Sequence, residues 1–137
     1  MDVNMTLNFS KAISLLKSQL TDLQGIYLFG SYALAVETPK SDVDLAILCK
    51  KRLAPEKKYA LIEQLSHLLN KNIDLVELRF VDLIFQEEIL NTAKKLAVFD
   101  EVACEKYEDY IYCSAMDFRE FRKPHVLEII ARGSVYG

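Results

Sequence analysis

One stretch of the sequence decides the fold: IYLFGS at Ile26–Ser31, followed after ten intervening residues by DVDL at Asp42–Leu45. The first four residues are apolar and β-prone and lead directly into a Gly-Ser pair, which predicts a short buried strand that ends in a tight turn. We expect a helix to open after that turn, over 32–36. A loop that contains Pro39 then leads to a second strand, predicted over 42–48, which begins with two aspartates.

The two aspartates, Asp42 and Asp44, have the chemistry of a cation site. Alternate side chains share one face of a strand, so both carboxylates point the same way, with Cα atoms about 6.6 Å apart at a rise of roughly 3.3 Å per residue. Mg²⁺ commonly takes one or two carboxylates together with substrate phosphates, which would relieve the repulsion between them.

The Gly-Ser pair adds the features of an anion site to this cation site. Gly30 lets the backbone approach a ligand closely, and the Ser31 hydroxyl and the N–H groups of the expected helix can bind an anion. Taken alone, an Asp-x-Asp at a strand edge is more often solvated, and a Gly-Ser pair is an ordinary turn. Their combination at this spacing favours a nucleoside triphosphate site.

A third strand, predicted over 73–78, carries a further candidate residue near its start, Asp74. In an adjacent strand this carboxylate would lie roughly 4.8 Å to the side of the first pair, close enough to join the same cation site. The alternative is that Asp74 only caps the turn after Asn72. Glu77 has the opposite parity in the strand and is therefore left out of the site.

The spacing of these residues resembles the signature of the DNA-polymerase-β-like nucleotidyltransferases. Gly30-Ser31, ten residues and Asp42-Val43-Asp44 match that signature at every fixed position. The short chain and the sequence around Ser41–Leu45 are most similar to the minimal nucleotidyltransferases, the MNT family, and the resemblance extends from about Ile26 to Phe99. Many minimal members have Ala-Arg-Gly where this chain has Ala33-Leu34-Ala35, a departure that leaves the acidic residues intact and changes the substrate contacts.

The resemblance implies a Mg²⁺-dependent transfer of AMP from ATP to a hydroxyl group. Asp42 and Asp44 would hold one Mg²⁺, and Asp74 would ligate a second and help to remove the proton of the acceptor. Gly30 and Ser31 would hold the departing pyrophosphate end.

Minimal nucleotidyltransferases commonly act as antitoxins beside a HEPN-domain ribonuclease toxin. The resemblance therefore implies a hetero-oligomer with a cognate HEPN toxin, in which a tyrosine of the toxin is the acceptor. Two alternatives remain: a small-molecule adenylyltransferase, such as an aminoglycoside-modifying enzyme, and an antitoxin subunit that acts by binding alone.

Composition and charge limit the range of partners. The 137 residues are 51% hydrophobic and 27% charged, with a net charge of −3, which predicts a globular protein that does not bind nucleic acid directly through a cationic surface. Three cysteines without metal-ligand spacing predict packed thiols and no disulfide framework. The sequence has no apolar run of the ~18 residues that a membrane span needs and no signal-peptide pattern, so we expect a cytoplasmic protein.

The remaining patterns predict an α/β fold: a small mixed β-sheet backed by helices on one side, as in the polymerase-β-like nucleotidyltransferases. We expect one domain over 1–137, with a core at about 26–99 and a helical C-terminal segment at about 101–131. Helical periodicity covers 9–20, 55–69, 81–89 and 101–122, and a short last strand covers 96–99. Pro124 is expected to interrupt the last helix, with a further short helix over 125–131 whose apolar residues could bind a partner.

The basic cluster Lys50–Arg52, at the end of the second strand, has two interpretations. It is either a solvated strand exit or a source of positive charge near the bound phosphates.

Overall fold

In the computed structural model of this chain, residues 8–131 are described, and the side chains of residues 8–120. Four strands form one sheet, namely β1 (Leu23–Phe29), β2 (Val43–Cys49), β3 (Ile73–Glu77) and β4 (Lys94–Val98). Their order across the sheet is β3-β2-β1-β4. β1 runs antiparallel to both β2 and β4, whereas β2 and β3 are parallel. The predicted α/β class with a mixed sheet is therefore confirmed.

Four α-helices connect and flank these strands: α1 (Phe9–Gln19), α2 (Pro55–Leu69), α3 (Leu83–Thr92) and α4 (Glu101–Ala131). Side-chain caps fix two of the starts, because Asn8 accepts a hydrogen bond from the N–H of Lys11 and Asp82 accepts one from the N–H of Phe85. α2 begins with Pro55 in its first turn and ends at Asn70, which has left-handed backbone angles. The helix boundaries thus follow local sequence signals.

Helices cover both faces of the sheet, so the expectation that they lie on one side was wrong. α1 and α2 pack on one face, against a cluster that includes Leu28, Leu45 and Leu75. α3 and α4 pack on the other face, against a cluster that includes Tyr27 and Leu48. The physical reason is visible in β1, where all seven residues are buried. A strand that is apolar on both of its faces needs a packed layer on each.

The expected helix over 32–36 does not form. A single 3-10 turn, Gly30–Tyr32, follows β1 and leads into a loop. Two residues in this region have positive φ angles, Gly30 at 72° and Ala35 at 59°. Left-handed backbone is incompatible with a continuing α-helix, so the apolar residues 32–36 form a turn.

α4 continues through Pro124 to Ala131, so the predicted break and separate short helix were wrong. A proline removes one backbone hydrogen bond within a helix, and the residues on either side keep theirs. The side chains of the predicted partner-binding residues in 125–131 lie outside the described part.

The described residues contain no helix long and apolar enough to cross a membrane. All three cysteines are free, as predicted. Cys49 and Cys104 are packed thiols, but Cys113 is exposed, contrary to the expectation for it.

We predict that the stability of the protein is most sensitive to substitutions in the central strand β2. Leu45 lies in the middle of the sheet and is fully buried. We expect Leu45→Ala to lower the free energy of unfolding by about 2–5 kcal/mol, because it removes buried methyl groups and leaves a cavity. Urea denaturation measures the change. The control is Leu34→Ala, at a leucine that is 56% exposed, where we expect a change within about 0.5 kcal/mol. Equal losses in the two variants would contradict the assigned core.

Candidate active site

The predicted site residues meet at one edge of the sheet. Because β1 is antiparallel to β2, the end of β1 lies beside the start of β2, and the parallel strand β3 starts at the same edge. The register places Phe29 opposite Asp44 and Asp44 opposite Asp74. The lateral proximity of Asp44 and Asp74 predicted from the sequence is confirmed.

Strand parity decides which way these carboxylates face. Ala46 and Leu48, which share the parity of Asp44 in β2, belong to the cluster under α3 and α4. Val76 belongs to the same cluster and shares the parity of Asp74 in β3. Asp44 and Asp74 therefore lie on the face of the sheet that α3 and α4 cover. Exposed Asp42 precedes β2 rather than beginning it.

Crowding of negative charge changes the ionisation of Asp44. Partial burial, which is the largest cause, and the negative charges of Asp74 and Asp42 together raise the pKa of its carboxyl group from 3.8 to about 6. The three carboxylates are thus close enough to interact electrostatically. A cation placed among them would remove the repulsion.

Gly30 is required at its position for two independent reasons. Its φ of 72° is a left-handed conformation that other residues adopt only with strain. A Cβ atom at this position would also overlap Oδ2 of Asp44 and lie 2.9 Å from its Cγ. The backbone of the turn therefore rests directly against the Asp44 carboxylate, which brings the Gly-Ser pair and the acidic residues into one site.

Backbone hydrogen bonds hold the turn and the loop that follows it. The carbonyl of Gly30 accepts from the N–H groups of Ala33 and Leu34, at 3.1 and 3.2 Å, and the carbonyl of Ser31 accepts from Val36 at 3.0 Å. A second turn lies just before Asp42 and is closed by the N–H of Thr38, which donates to Oγ of Ser41 at 2.8 Å. The Ser31 side chain lies on the first of these turns and is partly buried.

The donor set at this edge fits a hard cation. Its ligands are carboxylate oxygens, which Mg²⁺ prefers, and Mg²⁺ usually keeps several waters and takes only one or two protein carboxylates. Among the described residues, no three acidic, imidazole or thiol side chains already enclose a site for an ion. The arrangement is therefore an open row of carboxylates, and further ligands would have to come from water and substrate.

Two other charged features lie away from this row. The basic cluster Lys50–Arg52 follows the last residue of β2, at the opposite end of that strand, about 26 Å from Asp42 at roughly 3.3 Å per residue. Its interpretation as positive charge near the phosphates is wrong, and all three residues are exposed or partly so. Glu77 accepts from the N–H of Leu53 at 2.6 Å and lies 3.8 Å from Lys58, which agrees with leaving it out of the site.

Sequence reasoning missed one carboxylate in the loop between Ser31 and Asp42. Oε1 of Glu37 is buried and has no hydrogen-bond partner among the described residues. No periodic pattern singles out this residue, because it lies in a loop whose path depends on the tertiary fold.

Comparison with known proteins agrees with this geometry. A family model described as polymerase beta, nucleotidyltransferase matches residues 10–101. That range covers well over half of the 137 residues, so the chain belongs to the polymerase-β nucleotidyltransferase family, and the resemblance drawn from the sequence is confirmed.

Individual relatives are more specific. The chain is 34% identical to the protein adenylyltransferase MntA of Shewanella oneidensis over 90 residues, which are 66% of this chain and 65% of that protein. It superimposes with a TM-score of 0.78 and 27% identity on a toxin–antitoxin crystal structure with AMP-PNP, over 90% of this chain and 99% of the other. A complex of a tri-AMPylated Shewanella oneidensis HEPN toxin with an MNT antitoxin matches with a TM-score of 0.70 and 25% identity, over 88% and 94%.

The raised pKa of Asp44 predicts how stability depends on pH. A carboxyl group whose pKa is raised on folding contributes to the free energy of unfolding. This contribution is fully present below the pKa of the unfolded chain, 3.8, and is lost as the pH rises through the pKa of the folded protein, about 6. In EDTA we expect Asp44→Asn to melt above the wild type at pH 8 and at nearly the same temperature at pH 4. Adding Mg²⁺ at pH 8 should raise the melting temperature of the wild type more than that of the variant.

The control for this prediction is Asp109→Asn, which removes the same charge from an exposed position on α4. It should shift the melting temperature equally at both pH values. If Asp44→Asn melts below the wild type at pH 8 in EDTA, the carboxylate makes stabilising contacts and the crowding argument fails.

The left-handed angle of Ala35 predicts a stabilising substitution at the position where many minimal nucleotidyltransferases have glycine. A non-glycine residue in this conformation costs about 1–2 kcal/mol, partly offset by the greater freedom of glycine in the unfolded chain. We expect Ala35→Gly to raise the free energy of unfolding by about 0.5–1 kcal/mol in urea denaturation. The matched control, Ala33→Gly, lies at φ −69° and should lower it by a similar amount. A loss of stability in Ala35→Gly would show that the loop accommodates alanine without strain.

Proposed function

We propose that this chain is a Mg²⁺-dependent adenylyltransferase, which transfers AMP from ATP to a hydroxyl group of a partner protein and so acts as an antitoxin. One observation carries the proposal: Asp44 and Asp74 lie side by side on a parallel strand pair, and the Gly30 turn rests against the Asp44 carboxylate. This geometry places a turn suited to an anion next to ligands suited to a cation, which is what a metal-bound triphosphate requires.

Each group of residues has a separate task in this proposal. The turn at Gly30 and Ser31 binds the pyrophosphate end of ATP, because a helical turn leaves its first N–H groups without partners inside the turn and the serine adds a hydroxyl donor. Asp42 and Asp44 would hold one Mg²⁺, which would neutralise charge on the triphosphate. Asp74 lies on the far side of Asp44 from the turn, where the acceptor would enter, and it would hold a second Mg²⁺.

The acceptor oxygen attacks the α-phosphorus and forms the new P–O bond. The bond from that phosphorus to the bridging oxygen of the β-phosphate breaks, and pyrophosphate leaves with the electron pair. The acceptor proton passes to the Asp74 carboxylate and then to water. Two bound metal ions supply charge neutralisation at the attacking and the leaving oxygen, and the residues contribute mainly by positioning the reactants.

The partner protein we propose is a HEPN toxin, with one of its tyrosines as the acceptor. Two of the similar structures are described as toxin–antitoxin complexes, and one of them contains an AMPylated HEPN toxin. α4 offers a surface for such a partner, because one side of it is packed on the sheet through Tyr107 and Ile111, whereas Tyr112 and Met116, which are i and i+4 neighbours on another side, are 37% and 59% exposed. Large apolar side chains exposed together are typical of binding surfaces.

A double substitution separates catalysis from binding. We expect Asp42→Asn combined with Asp44→Asn to abolish transfer of AMP to the toxin and protection of cells, because the cation ligands are lost, and to preserve association through α4. The assays are intact-mass analysis of the toxin after incubation with ATP and Mg²⁺, co-purification, and growth during co-expression. Excess EDTA should abolish transfer by the wild type.

The controls distinguish the remaining alternatives. Glu56→Gln, at an exposed position in the first turn of α2, should transfer AMP at the wild-type rate, and a thermal melt shows whether the double variant is folded. Protection of cells by the folded double variant, with the toxin unmodified, would favour an antitoxin that acts by binding alone. If the wild type modifies an aminoglycoside and leaves the toxin unchanged, the small-molecule alternative is correct.

A further inference from the structure

A polar pocket of about 620 Å³ opens next to Asp42, between the loop before β2 and the end of α2. Its walls carry three side chains that can be cationic, Lys40, His67 and Lys71, together with the carboxylate of Asp42 and the amides of Asn70 and Asn72. The protein as a whole has a net charge of −3, so this concentration of positive charge runs against the average of the surface.

One cationic group of the pocket, the ammonium group of Lys71, is held in place and retains free donor capacity. Nζ of Lys71 donates to the carbonyl of Pro39 at 2.7 Å, which joins the two loops that form the pocket, and an ammonium group has three N–H donors. Lys40 extends from a loop that is closed by hydrogen bonds between Thr38 and Ser41. None of the ion pairs formed among residues 8–120 involves Lys40, Lys71 or His67.

The pocket lies on the side of the candidate site from which the acceptor would approach. At this edge of the sheet the Gly30 turn follows β1, Asp42 and Asp44 lie at the start of β2, and Asn70–Asn72 precede β3. In an in-line displacement the acceptor enters on the side opposite the leaving group. Because the pyrophosphate end is proposed to lie on the β1 side, the acceptor approaches from the β3 side, where the pocket lies.

The pocket meets the row of carboxylates at Asp42, which lines it, and it does not contain Asp44 or Asp74. Its α2 residues belong to the helix that packs on the opposite face of the sheet from these two aspartates. It is therefore placed to bind the chain next to the acceptor hydroxyl, while the hydroxyl itself reaches the carboxylates.

We infer that this pocket binds acidic residues that flank the acceptor hydroxyl of a protein substrate, through Lys40, Lys71 and His67. The inference rests on the proposed function and adds to it the charge of the preferred acceptor segment. Charge complementarity carries it, since carboxylates of the acceptor would complete the donors that the pocket leaves open.

The experiment measures binding without chemistry. Three fluorescent pentapeptides with a central tyrosine carry flanking glutamates, glycines or lysines, and anisotropy gives their Kd in the presence of Mg²⁺ and AMP-PNP. We expect the wild type to bind the glutamate peptide most tightly and the lysine peptide least, with a preference that weakens at high salt. Equal affinity for all three peptides would overturn the inference.

Matched variants locate the effect. Lys40→Glu should raise the Kd for the glutamate peptide by about fivefold, as expected for partly exposed charge pairs. The neutral variant Lys40→Gln should raise this Kd by about half as much on a logarithmic scale. Lys50→Glu makes the same charge change on an exposed lysine beyond the other end of β2 and should leave the Kd within about twofold. Equal weakening by Lys40→Glu and Lys50→Glu would indicate only a general field and would overturn the inference.

Two further readouts separate this inference from the proposed function. If Lys40→Glu weakens the binding of AMP-PNP and leaves the Kd values of the peptides unchanged, the pocket binds the nucleotide and the inference is wrong. If the peptides bind as expected but mass analysis finds no transfer of AMP from ATP to the tyrosine or to the toxin, the pocket is supported and the adenylyltransferase proposal fails. If transfer occurs and the KM for the glutamate peptide is the same in Lys40→Glu and the wild type, the inference fails and the proposed function stands.

Discussion

The candidate site is built around two like charges, the carboxylates of Asp44 and Asp74, which the backbone holds side by side. The parallel register of β2 and β3 puts Asp44 beside Asp74, although their repulsion and the burial of Asp44 both raise the pKa of that residue. The register is fixed by the apolar residues of the same strands, because a shift of one residue would turn Leu45 and Leu75 away from the core. Hydrophobic burial thus maintains an electrostatically unfavourable arrangement, and a bound cation would turn that cost into affinity.

The layers on the two faces of the sheet contribute differently to this arrangement. α2 connects β2 to β3 and so sets them parallel, which brings both strand starts to one edge. On the other face, α4 is attached through a polar network, in which Arg79 donates to the carbonyl of Cys49 at 3.1 Å and lies over the ring of Tyr107. Glu108 of α4 also accepts from the hydroxyl of Tyr27 at 2.8 Å. These contacts lie along the inner side of α4 and leave its outer side exposed.

In the loop between the Gly30 turn and Asp42, this chain differs in sequence from many minimal nucleotidyltransferases. Ala35 has a left-handed backbone at the position where glycine is common in them, so the backbone path is kept although the residue that adopts it most easily is absent. Leu34 takes the place of arginine and is 56% exposed. Under the proposed function, positive charge near the triphosphate would therefore have to come from elsewhere, such as metal ions.

The sequence by itself determined the strands, the Gly-Ser turn, the parity of Asp44 and Asp74, and the family, because these depend on local spacing and on alternation along a strand. Only the tertiary structure decided that the sheet is covered on both faces, that residues 32–36 form a turn, and that the Gly30 backbone rests on the Asp44 carboxylate. It also brought Lys40 and Lys71 to one pocket although 30 residues separate them in the sequence. Such contacts join residues that are distant along the chain, and local periodicity carries no information about them.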